Sequence, residues 1–239
     1  MASIPYRPLR PALRQDVAMR SDRQHVVLFD LDGVLVDSRA AIAGCINHAL
    51  DAHGLPERPS ASLHRFIGPP LSTAFAELTR QPADSALVQS CLDSYRARYA
   101  TASLRGTTVV PGIPDTLARL AASHRLAVAT SKPLAFAEPL LDTLGLRDAF
   151  EAIAAPDLNA HSEDKAATIR DALSALKAQH AVMVGDRSFD IIGAHACSIP
   201  AIGVTWGIGS PEELRTSGAD AIVDSPSQLP NAVSDTLQA

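Results

Sequence analysis

Val26-Val27-Leu28-Phe29-Asp30-Leu31-Asp32-Gly33 is the stretch from which the rest of the chain can be read. Four apolar residues without alternation predict a strand buried on both faces, the pattern of a parallel sheet covered by helices. Asp30 ends the run, and Asp32 follows two positions later, so both carboxyl groups can face one pocket. Gly33 permits a tight turn and a close backbone approach. In open parallel sheets, sites form at the carboxyl ends of strands, which is where this acidic pair falls.

The same pattern recurs outward from this stretch. Strands are predicted at Val26–Asp30, Leu126–Thr130, Ala152–Ala155, Ala181–Gly185, Ala201–Val204 and Ala221–Val223. Amphipathic stretches lie between them. Leu117 and Leu120 follow Pro114, which suits a first helical turn. Phe136, Leu140, Leu141 and Leu144 form a stripe closed by Gly145, with Pro139 inside it to kink the helix or displace its start. Ile169, Leu173 and Leu176 recur at helical spacing after Ser162, a candidate N-cap. Strands separated by helices predict an α/β fold, a mainly parallel sheet flanked by helices with right-handed crossovers.

The alternation stops between Ser38 and about Thr108, where helical patterns continue without a buried strand. Ile42, Ile46, Ala49 and Leu50 share one face ahead of Gly54, and further helices are predicted over 71–80 and 84–100. The expected organisation is a core domain of residues 25–37 and 109–239 with an all-helical insertion at 38–108. Residues 1–24 carry five arginines and three prolines and lack the apolar segment of a secretory signal. They read as a disordered extension, with an organelle transit peptide as the alternative.

A second acidic pair strengthens the first. Asp186 ends the apolar run Ala181 to Gly185, and Asp190 falls in the first turn of the next predicted helix. At an effective dielectric of ~20 each close pair of carboxylates costs about 4 kcal/mol, so such a cluster persists around a cation. Oxygen donors without Cys or His favour Mg2+.

These residues resemble the haloacid dehalogenase-like (HAD) superfamily. Asp30 to Ser38 is similar to its first motif, Ala129-Thr130-Ser131-Lys132-Pro133 to its second, Asp164-Lys165 to the third-motif lysine of one branch, and Val184 to Asp190 to its fourth. The resemblance covers roughly residues 25–239. It implies a Rossmann-like core with a helical cap inserted after the first motif, and a phosphoric monoester hydrolase. Asp30 would be the nucleophile, forming an aspartyl-phosphate, and Asp32 the acid and base. An acid at the second position marks the phosphatases of the superfamily. Mg2+ would bind Asp30, the Asp32 backbone carbonyl and Asp186, with Asp190 orienting ligand waters. Thr130 and Lys165 would complete the catalytic set, and Gly33, Ser131 and Lys132 would contact substrate. A lone Thr at a strand end is as readily a cap. Lys132 competes with Lys165 for the role of catalytic lysine, because the Gly-Lys-Pro context common around that lysine is missing here.

In the insertion, His64-Arg65-Phe66-Ile67-Gly68-Pro69-Pro70-Leu71 resembles the specificity loop of phosphoglycolate phosphatases and bacterial 5′-nucleotidases. Arg65 and Gly68 are its candidate substrate-binding residues. An exposed helix arginine before a plain turn is the competing reading of Arg65. Trp206-Gly207-Ile208-Gly209 reads either as a segment flanking the site or as a loop with a packed aromatic.

Bulk composition narrows the partners. A net charge of −5, from 21 basic and 26 acidic residues, argues against a nucleic-acid polymer as ligand. No apolar run reaches the ~20 residues of a membrane helix. Cys45, Cys91 and Cys197 are odd in number and far apart, which fits a reducing cytoplasm. The eight histidines are scattered singly and read as surface or packing residues. The expectation is a cytoplasmic, Mg2+-dependent phosphatase acting on a small phosphorylated substrate, with monomer and homodimer both open. The alternatives are a phosphomutase using the same aspartate and a signalling protein that binds, or passes phosphate to, a protein partner.

Overall fold

The computed structural model describes residues 25–158 and 164–238. The N-terminal extension expected at 1–24 and the cap expected at Ser162 lie outside the described residues. The described residues form two compact units, one of 25–35 with 109–158 and 164–238 and one of 36–108.

The first unit is built on a six-stranded sheet. Its strands are β1 (His25–Phe29), β4 (Arg125–Ala129), β5 (Ala152–Ala154), β6 (His180–Gly185), β7 (Ala201–Val204) and β8 (Ala221–Val223). They lie in the order β5-β4-β1-β6-β7-β8, and every pair is parallel. Each coincides with an apolar run in the sequence, because strands covered on both faces need apolar side chains in both directions. A ribbon of β2 (Val36–Asp37) and β3 (Thr108–Val109) sits where the chain leaves and re-enters this unit.

Alternate residues of β1 serve two cores. Val26 and Leu28 join Ile169, Ala172, Ile191, Ala194 and Leu214 in one buried cluster. Phe29 meets Phe150 edge-on, with ring centres 6.1 Å apart. Both central strands are fully buried along their apolar runs, which anchors the residues that follow their ends.

Local sequence accounts for the helix boundaries. Helix α5 (Ile113–Ala121) has its proline in the first turn, as expected, after Gly112 with φ 87°. Helix α6 (Leu134–Thr143) runs through Pro139 instead of starting after it. Helix α7 (Lys165–Leu176) is capped by Asp164, whose side chain accepts from the Ala166 N–H. Asp164 directly precedes the first helical residue, where a carboxylate reaches the open N–H groups. Helix α8 (Ser188–Ala196) carries Asp190 in its first turn.

The second unit is helical. Helix α1 (Arg39–Ala52) packs on the long α4 (Ala86–Gly106), with the short α2 (Ser60–Leu63) and α3 (Leu71–Thr79) completing it. Tyr95 stacks on Tyr99 and meets Phe75 edge-on. The long helix exceeds its expected extent because Tyr99 and Ser103 continue its buried face past residue 100.

Candidate active site

Asp30 and Asp186 emerge from adjacent strands at the centre of the sheet. One rung of the ladder continues past β1: the Asp30 N–H donates to the Val184 carbonyl at 2.9 Å. The side-chain oxygens of Asp30, Asp186 and Asp190 come within 4.8 Å of one another. Of the four carboxylates expected to meet, these three come together, while Asp32 faces Lys132.

Lys165 enters the same cluster from the first residue of α7. Its Nζ lies 2.7 Å from Asp30 Oδ1 and 2.8 Å from Asp190 Oδ1. Burial alone would lower the pKa of this ammonium, but the charges of Asp190 and Asp30 outweigh it and hold the pKa above the ordinary lysine value. Lys132 goes elsewhere, with Nζ 2.9 Å from Asp32 Oδ2. Each carboxylate of the first pair therefore has its own lysine, and Lys165 is the one on Asp30.

Thr130 is buried at the end of β4, and its hydroxyl oxygen accepts from the Lys132 N–H at 3.2 Å. The hydroxyl proton is left to donate. Ser131 is exposed on the same turn.

Asp190 is held by its surroundings. Oδ2 accepts from the Asp186 and Arg187 N–H groups at 3.1 and 3.0 Å, while Oδ1 meets Lys165. Asp186 is the opposite case. Its Oδ2 accepts from the Ile208 N–H at 2.7 Å, but its fully buried Oδ1 has no hydrogen-bond partner among the described residues. Burial, then the charges of Asp190 and Asp30, push the Asp186 carboxyl well above the ordinary carboxylate range. Burial, followed by Asp30, likewise raises Asp190, against the opposing pull of Lys165.

An unpartnered buried carboxylate oxygen beside two further carboxylates is an arrangement that a hard divalent cation completes. The residues present thus fit a Mg2+-type ion.

Glycines make room for this packing. A Cβ on Gly33, where φ is 92°, would run into the Asp186 carboxylate, and so would a Cβ on Gly207. Gly209 presses on the Asp186 carbonyl. The Trp206 to Gly209 segment therefore wraps Asp186, and Trp206 donates from Nε1 to the Val34 carbonyl at 3.1 Å. Sequence reasoning singled out this segment without its partner. It missed Glu213, which accepts from Arg187 Nε and the Ser188 N–H and so fixes the turn after Asp186. A glutamate in the first turn of a helix, 27 positions downstream of Asp186, gives no local signal of this contact.

The two candidate residues of the helical unit are placed within it. Arg65 pairs with Glu77 and lies over the Phe66 ring, with both charged side chains more than half exposed. Gly68 has φ 104°, a conformation that favours glycine.

Comparison with known proteins agrees with this geometry. The family model described as haloacid dehalogenase-like hydrolase matches residues 27–204. A 5′-nucleotidase of Pseudomonas aeruginosa is 37% identical over 84% of this chain and 90% of its own. A phosphoglycolate phosphatase of Cupriavidus necator is 36% identical over 85% of this chain and 90% of its own. A crystal structure of a predicted phosphatase from Clostridium acetobutylicum superposes with a TM-score of 0.83 at 35% identity, covering 89% of this chain and 99% of that one. With two acidic pairs at neighbouring strand ends and a buried lysine between them, the chain belongs to the haloacid dehalogenase-like hydrolase family.

Proposed function

We propose that the protein is a Mg2+-dependent phosphomonoesterase that hydrolyses a small phosphate ester through an aspartyl-phosphate on Asp30. Phosphoglycolate and nucleoside 5′-monophosphates are the first substrates to consider, given the relatives described above. The observation that carries the reading is the unequal treatment of the four carboxylates. The side chains of Asp30 and Asp32 remain 12% and 14% exposed, while those of Asp186 and Asp190 are sealed. Two acids are reachable by a substrate, and two serve the framework.

In this scheme Lys165 holds Asp30 Oδ1, which leaves Oδ2 to attack phosphorus. The ester bond breaks as the new bond forms, and Asp32 gives its proton to the departing alkoxide. The resulting carboxylate then takes a proton from water as the water attacks the phosphorylated Asp30. Inorganic phosphate leaves, and both aspartates return to their starting states. The Thr130 hydroxyl and Lys165 steady the phosphate oxygens. Asp30, Asp186 and the Asp32 backbone carbonyl would hold Mg2+, which offsets the repulsion between nucleophile and phosphate when bound.

The test is phosphate release from a panel of phosphoglycolate, nucleoside monophosphates and sugar phosphates, with Mg2+ and with chelator. Release that needs Mg2+ and disappears in Asp30→Asn is expected. A folded, Mg2+-loaded protein that releases no phosphate across the panel would overturn the reading.

A further inference from the structure

The first turn of α9 (Pro211–Thr216) carries two glutamates with different partners. Glu212 pairs with Arg215 on the same helix, and its side chain is 79% exposed. Glu213 reaches off its own helix. Its Oε1 accepts from the Ser188 N–H at 2.8 Å and from Arg187 Nε at 3.0 Å. Ser188 is the first residue of α8, so a carboxylate from one helix caps another.

That cap completes a set of bonds around the end of β6. The Asp186 and Arg187 N–H groups donate to Asp190 Oδ2, and the Ser188 N–H donates to Glu213. Three successive backbone donors thus end on two carboxylates, one within α8 and one outside it. Asp186 heads this run, so both carboxylates act on its backbone. The placement of Glu213 is itself fixed. Its neighbour Leu214 is fully buried in the core cluster beneath the sheet. Gly203 of β7 allows that approach, since a Cβ there would lie 3.0 Å from the Leu214 side chain. The connection from β7 to α9 meets Asp186 twice more: the Ile208 N–H donates to Oδ2, and Gly209 packs against the carbonyl. One segment therefore holds the side chain, the carbonyl and the following turn.

We propose that Glu213 is a positioning residue for the cation site. Through Arg187 and Ser188 it sets the turn that aims the Asp186 carboxylate. The inference rests on the Mg2+ reading of the carboxylate cluster given above. Loss of Glu213 leaves the Ser188 N–H to water, which can reach it because Ser188 is half-buried. The fold is then kept while the turn loosens. Partners that orient a metal ligand in this way are worth about 10- to 100-fold in metal affinity.

The experiment measures Mg2+ binding to the full-length protein by calorimetry, well below the melting temperature, so that lost stability alone does not alter the result. Glu213→Ala should weaken Mg2+ binding about tenfold and shrink the rise in melting temperature on adding Mg2+. Glu213→Gln keeps an oxygen that accepts both bonds without the charge, and should stay within about threefold of the unaltered protein. Glu212→Ala removes the other charge from the same turn, whose partner is Arg215, and should leave Mg2+ binding unchanged. Mg2+ binding as tight in Glu213→Ala as in the unaltered protein, or an equal loss in Glu212→Ala, would overturn the proposal alone. An unaltered protein that binds no Mg2+ would overturn the metal reading and the proposal with it.

Discussion

Lys165 Nζ bridges Asp30 Oδ1 at 2.7 Å and Asp190 Oδ1 at 2.8 Å, so one buried ammonium joins the ends of two central strands. Removing it strands two carboxylates beside a third. Lys165→Met should lower stability by about 3–5 kcal/mol and turnover by about 100-fold or more. Denaturant melts and steady-state kinetics measure the two losses. Adding Asp30→Asn to that variant should cost less stability than the two single effects summed, because one repulsion is relieved. Full additivity would show that the contact contributes little.

Gly207→Ala tests the packing around Asp186. The new Cβ collides with that carboxylate and has only packed protein to displace. A stability loss of about 1–3 kcal/mol is expected, together with about a tenfold higher Mg2+ requirement. Gly33→Ala should be worse, since it adds a left-handed backbone to the same collision.

The raised pKa of Asp186 predicts how Mg2+ and protons compete. A carboxyl with a folded pKa above its unfolded value holds a proton that the unfolded chain releases. Its contribution to the metal-free protein is complete below about pH 4 and is lost as pH rises toward the folded value. The gain in melting temperature on adding Mg2+ should therefore grow from about pH 5 to pH 7. A gain independent of pH would contradict this account of Asp186.

Arg65→Ala should change stability by less than about 1 kcal/mol, because its partner Glu77 and the pair itself are exposed. Thermal melts of Arg65→Ala and Glu77→Ala check this. Any change in KM in a variant of unchanged stability then reports on substrate directly.

The strands were legible in the sequence because each is a short apolar run, and burial on both faces demands such runs. Asp30 and Asp186 were legible because they directly follow two of those runs, and Asp32 and Asp190 because they come within four residues of those two aspartates. What escaped depends on tertiary neighbours. Lys132 and Lys165 could not be told apart until the sheet order set one against Asp32 and the other against Asp30. Glu213 became relevant only when α9 (Pro211–Thr216) came to lie beside the turn at Arg187.

The bond from the Asp30 N–H to the Val184 carbonyl has a consequence for how this chain tolerates change. It is a backbone rung, so the separation between Asp30 and the turn that carries Asp186 is set by strand spacing and not by any side chain. Substitutions across the surface, and most within the core, leave that ruler untouched. Sequences that drift far apart can therefore keep the same reactive spacing, provided the two strands stay paired.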